Sequence, residues 1–268
     1  MAARIGTATG LTLVPGDPGA VRAAVDPDHP WFLEHVVLGR RILPGVVWLD
    51  LAFRGVELAR PGVRAHGVVD GVWLRPVMGD EPLDLVLRFT FAPDGRTVKY
   101  TVDNRGLRCG QGTLLLDRRE SAPAVSTAVR DRVAEDSRTH FTRREIYTEF
   151  AAMGIDYGTH FRRISYVQRH GQASLALLTG NDGTRVDLVN LLDCSFQAGM
   201  AISIGEHRDS LMPFSLGLMV AHRWPEFPLA SAFVLTEKHS PFRTSCTVFD
   251  EDYTPLLSVF DLGVKPAR

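Results

Sequence analysis

The sequence predicts an α+β chain built twice over, with two halves that each set one long helix among mostly antiparallel strands. Three observations predict it. Each half carries one helical apolar pattern, after Pro44 and again over 187–205. Segments of β-branched or alternating apolar residues surround both helices. Between the halves, residues 118–139 lose the apolar pattern and gather Ser, Ala, charge and a proline, which reads as a linker. The expected division is 1–118, a linker over 119–139, and 140–268, forming one unit. There is no close sequence repeat, only a repeated architecture in which a curved sheet buries one face of a helix.

In the first half, strands are expected over 8–14, 35–41, 65–77, 83–92, 97–103 and 107–116. The turn sequence PDGR between the fourth and fifth of these marks a hairpin. The helix after Pro44 places Val47, Leu51, Ala52, Val56 and Leu58 mostly on one side and stops before Pro61-Gly62. In the second half a short helix is expected over 142–152, then strands over 162–169 and 172–179, then the helix over 187–205. Strands over 216–223, 230–238, 243–249 and 255–262 close the chain.

Bulk composition excludes several classes. At 268 residues with 45% hydrophobic and 23% charged residues, the chain has enough apolar material for a sizeable core. A formal net charge of -1 gives no global signature for nucleic acid or an acidic membrane. Cys109, Cys194 and Cys246 are widely separated, which fits a reducing compartment rather than a disulfide framework or zinc site. No apolar run approaches the roughly 18 residues of a membrane span, and the first strand-like segment lacks the compact apolar core of a signal peptide. A cytoplasmic protein is expected.

Two stretches carry chemistry. In LLDCSFQAGM, Asp193 sits in an apolar surround with Gln197 four residues on, along the same helical face. A buried carboxylate needs a partner, and Gln197 can donate one hydrogen bond. Desolvation by walls such as Leu191, Leu192 and Phe196 would raise the Asp193 pKa and fit it for proton donation near neutral pH. The other stretch is HVVLGRRILPGVVW, in which His35 opens an apolar segment ahead of the first helix. In a duplicated fold His35 and Asp193 face one another across the junction. Asp50, on the first helix, reads as a solvated or capping carboxylate. His29, His66, His140, His170, His207, His222 and His239 show no metal-ligand spacing and read as structural or exposed; no metal site is expected.

These residues bring a resemblance. His35, Gly39 and Pro44 match the HxxxGxxxxP motif of polyketide synthase dehydratase domains, and Asp193 with Gln197 matches their DxxxQ motif. Tyr157, Gly158 and Phe161 in DYGTHF resemble the family's YGPxF segment, and LMPFS at 211–215 resembles its LPF-type segment. The resemblance implies a double hot-dog fold and a substrate held as a thioester on the phosphopantetheine arm of an acyl carrier protein. It implies that His35 removes the α-proton of a β-hydroxyacyl thioester, that Asp193 protonates or orients the departing hydroxyl, and that Gln197 holds Asp193. Gly39 is expected where backbone comes close to substrate. The N-terminus of the second helix is expected to meet the thioester oxygen. Tyr157 either lines the pocket or packs. Pro44, Phe161, His160, Pro213 and Phe214 are expected to contact substrate. No cofactor beyond the carrier arm is implied.

The pattern departs at Thr159, where the family has proline, at His160 beside it, and at Leu188 and Val189, where a His-Pro pair is frequent. Arg40 and Arg41 either meet the phosphate of the carrier arm or are solvated, the solvated reading being favoured. Other synthase domains are expected partners, and a homodimer is compatible with this reading. Rival readings are an isomerase or oxa-cyclase using the same His/Asp pair, a hot-dog thioesterase, and a silent scaffold that docks carrier proteins. The last two leave the paired motifs unexplained.

Overall fold

The computed structural model describes residues 9–80, 83–117, 127–136, 139–180, 186–205, 210–225 and 227–267. The first half runs β1 (Thr9–Val14), β2 (Asp17–Val25), α1 (Pro30–Leu33), β3 (His35–Val37), β4 (Arg40–Arg41), α2 (Gly45–Ala59), β5 (Gly67–Trp73), β6 (Leu85–Phe91), β7 (Thr97–Asn104) and β8 (Leu107–Leu115). Then come α3 (Thr127–Asp136), β9 (Thr139–Thr142), α4 (Arg143–Ala152), β10 (Ile155–Tyr157), β11 (Ile164–His170), β12 (Ala173–Thr179) and α5 (Leu188–Ala201). The strands β13 (Leu211–Ala221), β14 (Ser231–Ser240), β15 (Arg243–Phe249) and β16 (Pro255–Pro266) close the chain.

Thirteen strands form one sheet in the order β1-β2-β6-β7-β8-β5-β13-β16-β15-β14-β12-β11-β9. The halves join at β5 and β13, which pair antiparallel from Ser215 opposite Val72 to Val220 opposite Gly67. Each half curls around its own helix. In α2, Val47, Leu51, Ala52 and Val56 are fully buried, and in α5 Leu191, Leu192, Cys194 and Ala198 are. A small second sheet, ordered β10-β3-β4, ties the halves again. Its register sets Tyr157 of the second half opposite His35 of the first. This is the duplicated α+β architecture that the sequence predicts, in the double hot-dog arrangement that the resemblance implies. Among the described residues, no helix is long and apolar enough to cross a membrane.

The structure corrects several expectations. The segment 17–25 is not expected as a strand, because Asp, Pro, Gly and Ala are poor strand formers. It forms β2 because Ala20, Val21, Ala23 and Val25 are buried between neighbouring strands. The expected linker contains α3, whose Val133 is buried against Leu175, Leu235 and Phe249. One buried anchor in a polar helix leaves too faint a pattern to read. The parts of that linker at 118–126 and 137–138, and His207, lie outside the described residues. The strand expected over 35–41 is a hairpin, β3–β4, broken at Leu38-Gly39. The final helix stops at Ala201 rather than 205, and β13 starts at Leu211 rather than 216.

Candidate active site

The β3–β4 hairpin explains the spacing from His35 to Gly39. Val37 pairs with Arg40 and Val36 with Arg41, so a two-residue turn remains at Leu38 and Gly39. Both have positive φ, 50° and 76°, as a type I′ turn requires, and glycine tolerates this best. Continuing that register sets Ile42 opposite His35. The Ile42 N–H donates to the His35 carbonyl at 3.1 Å, and the His35 Nδ1 lies 2.8 Å from the Ile42 carbonyl. A carbonyl only accepts, so Nδ1 carries the proton and donates, and Nε2 of the neutral ring keeps a free lone pair. Gly39 is thus required by the turn. A Cβ there would meet open space, and Gly39 is outside the cavity lining while its neighbours Leu38 and Arg40 are in it.

His35 is buried, with its ring edge-on to Tyr157 at 5.4 Å and to Phe161 at 5.6 Å. Burial holds its pKa below the ordinary 6.5, against the pull of the Asp193 charge. Asp193 is also buried, and desolvation raises its carboxyl above 3.8, opposed by His35 and by the Gln197 hydrogen bond. Both shifts favour the neutral forms.

On α5, Gln197 lies one turn beyond Asp193. Its Nε2 donates to Asp193 Oδ2 at 2.7 Å and to the Phe161 carbonyl at 3.1 Å, while its Oε1 accepts from the Tyr147 hydroxyl at 2.9 Å. The Phe161 carbonyl fixes this amide orientation, since a flipped amide would face oxygen with oxygen. Tyr147 on α4 also stands 3.2 Å from the Phe161 carbonyl and accepts from the Ile164 N–H at 3.1 Å. Its single hydrogen serves one acceptor at a time. Nothing local in the sequence marks Tyr147, because its partners come from α5 and the 157–164 segment.

His35, Tyr157 and Asp193 share a cavity of about 370 Å³. Its apolar walls include Trp48, Trp73, Met78, Phe196, Met200 and Pro213. The exposed residues Leu38, Arg40, Leu74, Arg75 and Lys265 lie at its solvent side. Of the expected walls, Phe196 lines the cavity, whereas Leu191 and Leu192 are buried elsewhere on α5.

Other expected contacts move. Pro44 is buried ahead of α2, and its neighbours Leu43 and Gly45 line the cavity in its place. Phe161 supports His35 and Gln197 from behind. Phe214 is outside the lining and lies beneath Arg243 and Lys265. His160 is also outside it; its carbonyl accepts from Asn190 Nδ2 at 2.9 Å, and burial lowers its pKa. Arg41 is not in the lining; Arg40 is.

The expected role of the second helix's N-terminus fails as well. At α5 the Asp187 side chain accepts from the Asn190 N–H in a capping box, and no first-turn residue lines the cavity. The helix that presents its N-terminus there is α2. Gly45 and Val46 line the cavity, and no side chain caps them. Free N–H groups and the positive end of the helix dipole are therefore available to a substrate oxygen. Asp50 is neither solvated nor a cap. It is buried on α2, with Oδ2 bonded by Arg54 at 2.9 and 2.6 Å.

Comparison with known proteins agrees with this architecture. A family model described as polyketide synthase dehydratase N-terminal domain matches residues 126–268, and one described as polyketide synthase dehydratase domain matches 14–105. Polyketide synthase PksN of Bacillus subtilis is 28% identical over 201 residues, 68% of this chain and 4% of PksN. The chain therefore spans a small fraction of that relative. A trans-AT PKS dehydratase domain from Brevibacillus brevis superposes with a TM-score of 0.83 at 20% identity, covering 100% of both chains. The dehydratase domain from the CurK module of curacin polyketide synthase gives a TM-score of 0.80 at 15% identity, covering 97% of this chain and 98% of that one. Two CurK dehydratase variants, an Asp-to-Asn and a His-to-Phe replacement, are described as inactive mutants. With one family model alone matching more than half of its length, the chain belongs to the polyketide synthase dehydratase domains, the hydro-lyases of polyketide biosynthesis.

Proposed function

We propose that this domain removes water from a β-hydroxyacyl thioester carried on the phosphopantetheine arm of an acyl carrier protein, leaving an α,β-unsaturated thioester. The observation that carries the reading is the His35 hydrogen bond to the Ile42 carbonyl, which leaves Nε2 as a base in the same cavity as Asp193, a carboxyl that burial inclines to hold a proton. In this mechanism Nε2 of His35 takes the α-proton. The uncapped N-terminus of α2 at Gly45 and Val46 stabilises the negative charge that develops on the thioester oxygen. Asp193 then passes its proton to the β-hydroxyl, so that water leaves in place of hydroxide. A positioned base and acid each typically contribute about 10²–10⁴-fold. Gln197, held by Tyr147 and the Phe161 carbonyl, keeps Asp193 turned toward the cavity. Two inactive CurK variants that alter one His and one Asp support assigning roles to these residue types.

The carrier arm would enter past Arg40, Arg75 and Lys265, whose charges suit its phosphate. The 1–118 and 140–268 halves act as one unit, because the active pair takes one residue from each. A cytoplasmic setting, other synthase domains as neighbours and a homodimer belong to the same reading. Incubation with a β-hydroxyacyl carrier protein or a short thioester mimic, followed by mass spectrometry, tests it. Loss of one water is expected. Double-bond migration or ring closure without loss of water would assign the isomerase or cyclase reading to the pair, and free acid would assign a thioesterase.

A further inference from the structure

Glu34 precedes His35 and reaches across to the second half. Its carbonyl accepts from the Gly158 N–H at 2.8 Å, continuing the pairing of Tyr157 with His35 by one step. Its carboxylate Oε2 accepts from the His160 N–H at 2.5 Å and from Thr159 Oγ1 at 3.2 Å. Residues 158–162 form a single turn in which the N–H groups of Phe161 and Arg162 both reach the Gly158 carbonyl at 3.1 Å. The first N–H groups of such a turn need an outside acceptor. A side chain at its own start normally provides one, but Gly158 has none. A Cβ at Gly158 would stand 2.4–2.6 Å from Glu34 side-chain atoms, so the glycine is what admits the carboxylate.

That turn delivers Phe161, whose ring abuts His35 and whose carbonyl holds the Gln197 amide against Asp193. We propose that Glu34 is a positioning residue: its carboxylate caps the 158–162 turn from the opposite half and thereby fixes His35 and Asp193 relative to each other. The departure at 159 then acquires a function. Thr159 supplies a hydroxyl donor to Glu34 that proline lacks, and the His160 N–H supplies the other. The inference rests on the proposed roles of His35 and Asp193.

Two substitutions in the full chain separate reach from charge. Glu34→Gln keeps an acceptor oxygen at the same distance and loses the charge; Glu34→Asp keeps the charge and falls one methylene short. Misplacement of reacting groups by about 1 Å costs on the order of 10²-fold. Expected results are a fall in kcat of about 10–100-fold for Glu34→Asp with KM within about twofold, and near-parental kcat for Glu34→Gln. Thr159→Val should lose a few-fold, roughly one hydrogen bond. The His35 imidazole resonances, read by NMR, should move in Glu34→Asp and stay in Glu34→Gln. Parental kcat and unmoved His35 resonances in a folded Glu34→Asp enzyme would overturn the proposal, as would equal losses in the two variants. If His35→Ala or Asp193→Asn keeps full turnover, the catalytic reading fails separately. The NMR comparison still decides the Glu34 role, for displaced resonances support it and unmoved ones refute it.

Discussion

The two central helices place a buried aspartate at the same point and give it different company. Counting from Gly45 and from Leu188, Asp50 is the sixth residue of α2 and Asp193 the sixth of α5. Four residues on, Asp50 meets the Arg54 guanidinium, whereas Asp193 meets the Gln197 amide. Burial pushes both carboxyls up. Arg54 opposes this at Asp50 with a full charge and hydrogen bonds; at Asp193 the opposition comes from His35 and then from the Gln197 hydrogen bond. The comparison teaches that burial alone does not make an acid. A guanidinium partner binds the carboxylate form, and a neutral amide leaves the proton exchangeable. The cavity adds the second difference, since Asp193 lines it and Asp50 does not.

The largest expected effects come from exchanging the two positions in turnover assays. Asp193→Asn and His35→Ala should each lower kcat by about 10²–10⁴-fold, and the double variant should be little worse than either single one. Asp50→Asn should keep kcat within a few-fold of the parent. A large loss in Asp50→Asn in a folded protein would break the comparison.

The pH dependence sharpens it. In the proposed mechanism turnover needs neutral His35 and protonated Asp193, so kcat/KM should be bell-shaped. The acid limb should lie below the ordinary histidine value of 6.5 and the alkaline limb above the ordinary aspartate value of 3.8. The limbs belong to the coupled pair. Gln197→Ala removes a bond that favours the carboxylate, so the alkaline limb should move to higher pH while kcat falls by about tenfold through lost orientation. An alkaline limb that stays put, or that survives in an active Asp193→Asn enzyme, would remove Asp193 as the acid.

Stability should answer in the opposite sense. The Asp50 carboxyl is raised by burial as well, with the Arg54 charge and hydrogen bonds opposing the shift, so Asp50→Asn should gain stability at neutral pH by less than Asp193→Asn. Denaturant unfolding measures it. Asp193 has a folded pKa above its unfolded one, so the folded state holds more protons and loses stability as pH rises past 3.8. Asp193→Asn should therefore be more stable than the parent at neutral pH, with the gain disappearing below about pH 4. For His35 the sign is reversed: its lowered value weakens the fold as pH drops through 6.5. A destabilised Asp193→Asn at neutral pH would show that its carboxylate is structural.

Short-range spacing decided what was legible in the sequence. The helices α2 and α5 and most strands follow from apolar periodicity, a property of neighbouring residues. The Asp193–Gln197 pair is an i,i+4 contact and was readable by number alone, whereas the turn at Gly39 was not, because 35–41 reads as a single strand until its hairpin pairing is seen. The sequence also pointed to both members of the His35–Asp193 pair. Tertiary packing alone decided the rest. It set Tyr157 opposite His35 across two halves, brought Tyr147 to Gln197, and let Glu34 cap a turn that Gly158 leaves open. It turned the N-terminus of α2, not that of α5, toward the cavity, and it buried Asp50 against Arg54. The contacts of Tyr157, Tyr147 and Glu34 join residues remote in the chain through one donor, one acceptor or one absent Cβ. Such contacts leave no period in the sequence, because their geometry exists only once the sheet has closed around both helices.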